Sequence, residues 1–182
     1  ELGAFIESVN LRGGHTDYRH TEFEGPEVGT VFTNKGSDFR LEAKHARLGP
    51  LSGVIGVQGE KFRFAALGEE AFVPSTRNRN AAIFAYEELV TGGWKFSFGA
   101  RAEKSRMQSA GEGDSGIARF GAAAEKTFNV SSTALGVLYR LNPSMNLTTN
   151  LAVSQRAPAF YELFADGAHV ATAAYEVGDI NL

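Results

Sequence analysis

Apolar and polar side chains alternate along most of this chain with the period of two that is typical of β-strands. The clearest case places Trp94, Phe96 and Phe98 on one face and charged side chains, including Lys95 and Arg101, on the other. The same pattern predicts further strands, so that seven are indicated, at residues 5–20, 37–48, 51–64, 80–89, 94–103, 132–141 and 146–154. We therefore predict an all-β chain, an antiparallel up-and-down meander of about seven or eight strands.

The predicted connections alternate in length. Long connections fall near residues 23–36, 67–78, 108–130 and 157–175, and short turns near 49–50, 90–93 and 142–145. In a meander this alternation places all the long loops at one end of the sheet, as in outer-membrane barrels. Phe62 and Phe64 depart from the parity of their strand, which indicates a bulge or a change of environment.

Two β architectures fit this pattern, since a transmembrane barrel and a soluble antiparallel sandwich both contain alternating strands. The aromatic face that starts at Trp94 adjoins a short turn, where a barrel carries an interfacial aromatic girdle. The opposite face would line a wet lumen, with cross-strand pairs among Arg40, Glu42, Lys44, Lys95, Arg101 and Glu103. We favour a segment of a transmembrane β-barrel, with the soluble sandwich as the alternative.

Composition narrows the function classes. The 182-residue chain has a net charge of −3 and no basic run, which speaks against a nucleic-acid partner. It has no cysteine, so disulfides, thiolate metal sites and Cys nucleophiles are excluded. No apolar run approaches the roughly 18 residues of a transmembrane helix. No Ser-His-Asp spacing, paired carboxylates or phosphate loop is present, so we do not expect an enzyme.

Candidate chemistry gathers in the last predicted loop, which Pro158 opens and where Asp166-Gly167 signals a turn. Arg156, Tyr161 and Glu162 are candidates for facing a substrate, and Arg156 with Glu162 is more readily a structural pair that braces the loop. Nitrogen and oxygen ligands suited to zinc are offered by five side chains, namely His169, Asp166, Glu69, Glu70 and His20. The competing interpretation is that each is an ordinary solvated loop residue.

Several of these stretches resemble a known family. Residues 156–172 contain Arg-Ala-Pro, then Glu-Leu-Phe, then Gly-Ala-His-Val-Ala-Thr, and they resemble the corresponding segment of TonB-dependent outer-membrane receptors. Residues 17–25, 29–34, 53–58 and 68–74 resemble the same family, and in particular the branch related to zinc-uptake receptors.

The resemblance implies a function and a setting. The chain would be part of a receptor in the bacterial outer membrane that takes up a metal ion or metal chelate, with Zn²⁺ a candidate cargo and no cofactor required. Its partners would be outer-membrane lipid, the transported metal or chelate, and TonB through a segment absent from this chain. Residues 1–182 would form a partial barrel without a plug domain or C-terminal barrel strand. The alternatives are a passive porin-like or structural barrel and a soluble β-sandwich binding domain.

Overall fold

The computed structural model describes residues 5–68, 71–169 and 173–182, and one antiparallel sheet of seven strands dominates it. Each strand pairs with the next in sequence order, and the bounds are β1 Ile6–Glu24, β2 Glu27–His45, β3 Leu51–Gly68, β4 Thr76–Thr91, β5 Trp94–Ser109, β6 Ala124–Asn142 and β7 Met145–Ser154. A 3₁₀ turn at Ala118–Phe120, a short helix α1 at Phe160–Phe164, and a hairpin of β8 Asp166–His169 and β9 Ala174–Val177 complete the described elements. Within these residues no helix is long and apolar enough to cross a membrane.

The predicted meander is confirmed, but its strands extend further towards the long-loop end than the alternation indicated. The long connection expected at residues 23–36 is wrong, because β1 and β2 form one hairpin around Gly25 and Pro26. Likewise β4 begins at Thr76 and β6 at Ala124, so parts of two other expected loops are strand. The expected short turns, after β2, β4 and β6, are all present.

The strand register separates an outer from an inner face. On the outer face, residues paired across adjacent strands form rows, and one such row consists of Leu41, Val57, Ile83, Ala102 and Ser131. The rows between this one and the short-turn end, where Trp94, Tyr139 and Leu147 lie, are mostly apolar. The ten residue-to-residue steps from Trp94 to Lys104 span about 33 Å along the strand. At a tilt of about 40° this is about 25 Å, the height of the apolar band of an outer-membrane barrel.

The inner face is polar and carries a side-chain network. Arg40 and Arg101 both donate to Gln58 Oε1, at 3.0 and 3.2 Å. Each arginine also pairs with a carboxylate two residues on in its own strand, Glu42 or Glu103. Cross-strand pairs join Lys95 to Glu88, Lys44 to Glu7 and Arg12 to Glu42. All six residues expected on this wall form ion pairs, but the two pairs within the set lie along a strand and are not cross-strand pairs as predicted. The cross-strand pairs use Glu88, Glu7 and Arg12, which the sequence did not single out.

One ion pair lies in the outer apolar band. Glu87, in the row of Gly53 and Phe98, reaches His45, and its Oε2 lies 2.9 Å from His45 Nε2. The Glu87 side chain crosses Gly53, where a Cβ would collide with its carboxylate. Glycine at position 53 therefore gives this carboxylate its route to a partner.

The buried part of the molecule sits on the inner face at the long-loop end. The side chains packed there come from the strand ends and from the segments folded over them, and they include Ala66, Ala71, Val73, Thr76, Asn78, Ser105, Met107, Leu163 and Ala165. Phe62 and Phe64 belong to this region, since both pack against Phe160 of α1. The register of β3 is continuous through them, so their parity reflects a changed environment and the suggested bulge is absent.

Candidate functional site

Helix α1 is held against the inner face of the sheet by aromatic packing. The Phe160 ring lies 5.9 Å from that of Phe62 and 5.1 Å from that of Phe64, and Leu163 is buried beneath the helix. The next residue, Tyr161, points away and is 47% exposed. The helix thus anchors by one side and presents the other to solvent.

A salt bridge fixes the start of α1. Glu162 accepts hydrogen bonds from Arg156 Nη1 and Nη2, at 2.6 and 2.7 Å, and from the backbone N–H of Ala159 at 2.6 Å. These donors favour the ionised form, and they lower the pKa of Glu162 from 4.5 to about 2, with the Arg156 hydrogen bond as the larger cause. The expected structural pair is confirmed, and both groups are engaged in bracing the loop.

Three further segments come together with helix α1, namely residues 71–75, residues 118–120 and the hairpin of β8 and β9. We call these four segments together the cap. Arg119 ties two of them, because its guanidinium donates to the carbonyl oxygens of Ala71 and Asp166, each at 2.5 Å. The backbone N–H of Asp166 donates to the carbonyl of Phe72 at 2.8 Å. The N–H of Gly178 donates to Ala165 at 2.7 Å, which fastens the chain after β9 to the residue after α1.

His169 lies on the side of the hairpin that faces residues 71–75. Its ring stacks on Phe72 at a centroid distance of 4.4 Å and an angle of 12°. Its Nδ1 lies 2.6 Å from Oε1 of Glu176, on the neighbouring strand. The pairing brings a nitrogen and a carboxylate donor together, and Glu176 was not among the residues that the sequence singled out as ligands. His169 lies on β8 and Glu176 on β9, so it is the register of these two strands that brings them together.

Asp166 is separated from His169. The two residues differ in parity along β8, so they lie on opposite faces of the hairpin. Asp166 Oδ1 accepts a hydrogen bond from the Tyr175 hydroxyl at 2.8 Å. This bond raises the pKa of Tyr175, because the hydroxyl proton is held by the carboxylate. The structure thus places these two predicted ligands in different surroundings.

His20 lies on the inner face of β1, which is two strands from β3 in the order of the sheet. Its ring stacks on Phe32 at 4.6 Å, and its Nε2 lies 3.6 Å from Glu22 Oε1. Glu69 and Glu70 lie outside the described residues. In residues 5–68, 71–169 and 173–182 no group of three or more His, Asp or Glu side chains is arranged to hold a metal ion.

The arrangement is a polar-lined sheet with an apolar outer band and a cap folded over the inner face at the long-loop end. A family profile described as "TonB dependent receptor-like, beta-barrel" matches residues 4–182. This chain belongs to the TonB-dependent receptor β-barrel family. Membership explains the two faces, since the outer one meets lipid and the inner one faces the barrel interior.

For a TonB-dependent receptor barrel, the setting is the bacterial outer membrane and the activity is that of a receptor and transporter, with TonB as the family's energy-coupling partner. Proteins of this family are transporters and not enzymes. The soluble sandwich is set aside by this membership, and the described strands β1–β7 form one sheet where a sandwich needs two packed face to face.

Proposed function

We propose that this barrel belongs to a receptor that takes up a metal ion or metal chelate, with Zn²⁺ the first candidate, and that the cap contributes to its capture site. The observation that supports the proposal is the contact between His169 Nδ1 and Glu176 Oε1 at 2.6 Å. Imidazole and carboxylate are both zinc ligands, and a capture site needs exchangeable donors more than a closed tetrahedral cage.

Two further carboxylates are close in sequence to Phe72, the residue on which His169 stacks. His169 stacks on Phe72, and Glu69 and Glu70 precede Phe72 by three and two residues. We propose Glu69 and Glu70 as the carboxylates that complete the donor set with His169 and Glu176. Asp166 and His20 were also candidates from the sequence, and they remain secondary ones, because their contacts lie with Tyr175 and with Phe32 and Glu22.

The remaining cap residues would shape the site. Tyr161 presents an exposed ring for contact with a chelate, while Arg156 and Glu162 hold α1 in position. The energy for uptake would come from TonB, as membership of the family implies.

The test uses the full-length receptor in the outer membrane of a strain that expresses it, with uptake of radioactive zinc measured at limiting concentration. We expect uptake to require TonB and to fall by about tenfold or more in a His169→Ala/Glu176→Gln variant, because two metal ligands are lost. His15→Ala is the matched control, since His15 lies on the outer face and contacts Ser37. Glu69→Gln/Glu70→Gln tests the proposed completion of the site.

Two results would contradict the proposal. Undiminished zinc uptake in the His169/Glu176 variant would remove the cap as the capture site. Uptake that is equal with and without TonB would instead support the passive porin-like barrel.

A further inference from the structure

Basic side chains gather on the outer face just above the apolar band. The register places Arg63 directly opposite Arg77, and Lys61 directly opposite Arg79 in the next row. We call these four residues the basic quartet. Lys35 lies opposite Arg63 on the other side and extends the upper row to three cations. The sequence shows no basic run, because strand pairing assembles this patch from residues as much as 18 positions apart.

The quartet repels itself, since like charges directly opposite each other in a sheet are destabilising. At its edges, Lys35 pairs with Asp17 at 2.9 Å, and Arg106 pairs with Glu125 at 2.6 Å. Within the part of the chain that the structure describes, the four quartet side chains are exposed and form no ion pair with a carboxylate. Asp114 lies in the wall of the same depression as Arg63 and Arg77, but it forms no ion pair with them in the described residues. Four cations that share at most one nearby carboxylate favour an external anion.

The surface beneath the quartet is concave and changes from cationic to apolar. Two shallow depressions of about 530 and 310 Å³ both include Lys35, Arg63 and Arg77 in their walls. Below them lies one of about 670 Å³ with Phe39, Ile83 and Lys104. A furrow of about 600 Å³ follows, lined by small and branched residues that include Leu41, Ala43, Ile55, Ala85 and Ala100.

We propose that the basic quartet binds the phosphate groups of a lipid headgroup in the leaflet on the cap side, with the acyl chains lying along the furrow below. Guanidinium groups bind phosphate through paired N–H donors, and two arginines face each other here. The height of the quartet fits this ligand, because it begins one row above Ala81 and Lys104, where the apolar band ends. A bound phosphate would also remove the repulsion between the opposed cations.

The experiment compares the full-length receptor in two lipid discs, one of phosphatidylcholine alone and one of phosphatidylcholine doped with phosphatidic acid. Native mass spectrometry counts the phosphatidic acid retained after release from the disc. We expect an Arg63→Gln/Arg77→Gln variant to bind phosphatidic acid about 25-fold more weakly, because each cation near an anionic surface contributes about fivefold. Arg12→Gln/Arg140→Gln removes the same charge from the inner face and should leave retention unchanged.

Thermal unfolding in the same discs gives a second readout that folding defects alone cannot imitate. In phosphatidylcholine the quartet variant should melt at or above the wild-type temperature, since repulsion is relieved. Phosphatidic acid should raise the wild-type melting temperature and leave that of the variant unchanged. Equal retention by variant and wild type would overturn the proposal. Equal stabilisation of the wild type by inorganic phosphate in pure phosphatidylcholine would also overturn it, because the site would then take a free anion and not a lipid.

Discussion

Glu162 binds both terminal nitrogens of the Arg156 guanidinium, and the same carboxylate accepts the N–H of Ala159 at the start of α1. One carboxylate therefore joins the loop that leaves β7 to the helix that anchors the cap.

The Glu162 carboxyl should titrate at about pH 2, well below its ordinary value of 4.5, because its ionised form is stabilised by Arg156 and Ala159. A lowered folded-state pKa means that the stabilisation of the cap is complete above the ordinary value and is lost as pH falls from about 4.5 towards 2. NMR of the ¹³C-labelled carboxyl checks the value. Arg156→Gln should shift the titration upwards, and a wild-type titration near 4.5 would contradict the assignment. Glu112, an exposed loop carboxylate, is the control for labelling.

Phe160→Ala should release α1 from the sheet while the barrel stays folded. The substitution removes the ring that packs on Phe62 and Phe64, at a cost of about 1–3 kcal/mol confined to the cap. Limited proteolysis of the receptor in detergent should then cut within residues 156–165 faster than in the wild type. Tyr161→Ala removes a similar ring from the exposed side and should change the cleavage rate little. Equal rates in the two variants would contradict the packing role.

Gly167→Val should displace the hairpin without altering its donors. A Cβ at Gly167 would lie 2.8 Å from Phe72 Cα, so the hairpin cannot stay against residues 71–75. If the cap captures zinc, affinity should fall although His169 and Glu176 are both present. Isothermal titration of the intact receptor measures this. Ala168→Val changes the opposite, exposed face of β8 and should retain wild-type affinity.

The pair of His45 and Glu87 should show strong coupling in a double-mutant cycle. His45→Leu leaves the Glu87 carboxylate in the apolar band without its partner, which costs more than removing both polar groups at once. We expect His45→Leu/Glu87→Leu to be more stable than His45→Leu, by about 1–3 kcal/mol. Urea unfolding in lipid vesicles gives the free energies. Additive effects of the two single substitutions would show that the contact contributes nothing.

The sequence predicts the lower half of this fold well and the upper half poorly, for a physical reason. Where the outer face meets lipid, apolar and polar residues alternate, as from Trp94 to Glu103, and this alternation predicts the strand correctly. Above the band both faces carry polar side chains, since Arg77, Arg79 and Arg106 are exposed on the outer face while Asn78 and Ser105 are buried under the cap on the inner face. No alternation of apolar and polar residues remains there. These stretches consequently resemble loops although they are paired strand.

Glycines also contributed to a wrong loop prediction, because their role depends on neighbouring strands. Gly29 and Gly36 indicated a loop, yet both lie inside β2. A Cβ at Gly36 would lie 3.0 Å from Phe62 Cβ, so this glycine makes room for a side chain on the next strand. Its role depends on a neighbour that the local sequence does not contain.

The contacts of the candidate site also differ in whether the sequence could predict them. The link between Arg156 and Glu162 is local and could be anticipated from opposite charges six residues apart. The contact of His169 with Glu176 depends on the register of β8 and β9, and its stacking on Phe72 joins residues almost a hundred positions apart. Composition and spacing carry no signal for such contacts.

The apolar band of the outer face ends at Lys104, and this limit gives the height of other parts of the sheet relative to the membrane. Ser109, where β5 reaches the cap, lies five positions beyond Lys104, and at barrel tilt this places the end of β5 about 13 Å above the acyl chains. If the cap is the capture site proposed above, cargo bound at His169 and Glu176 would still lie outside the low-dielectric interior of the membrane. A metal ion would then exchange its water molecules for cap ligands before it passes between the charged side chains of the inner face.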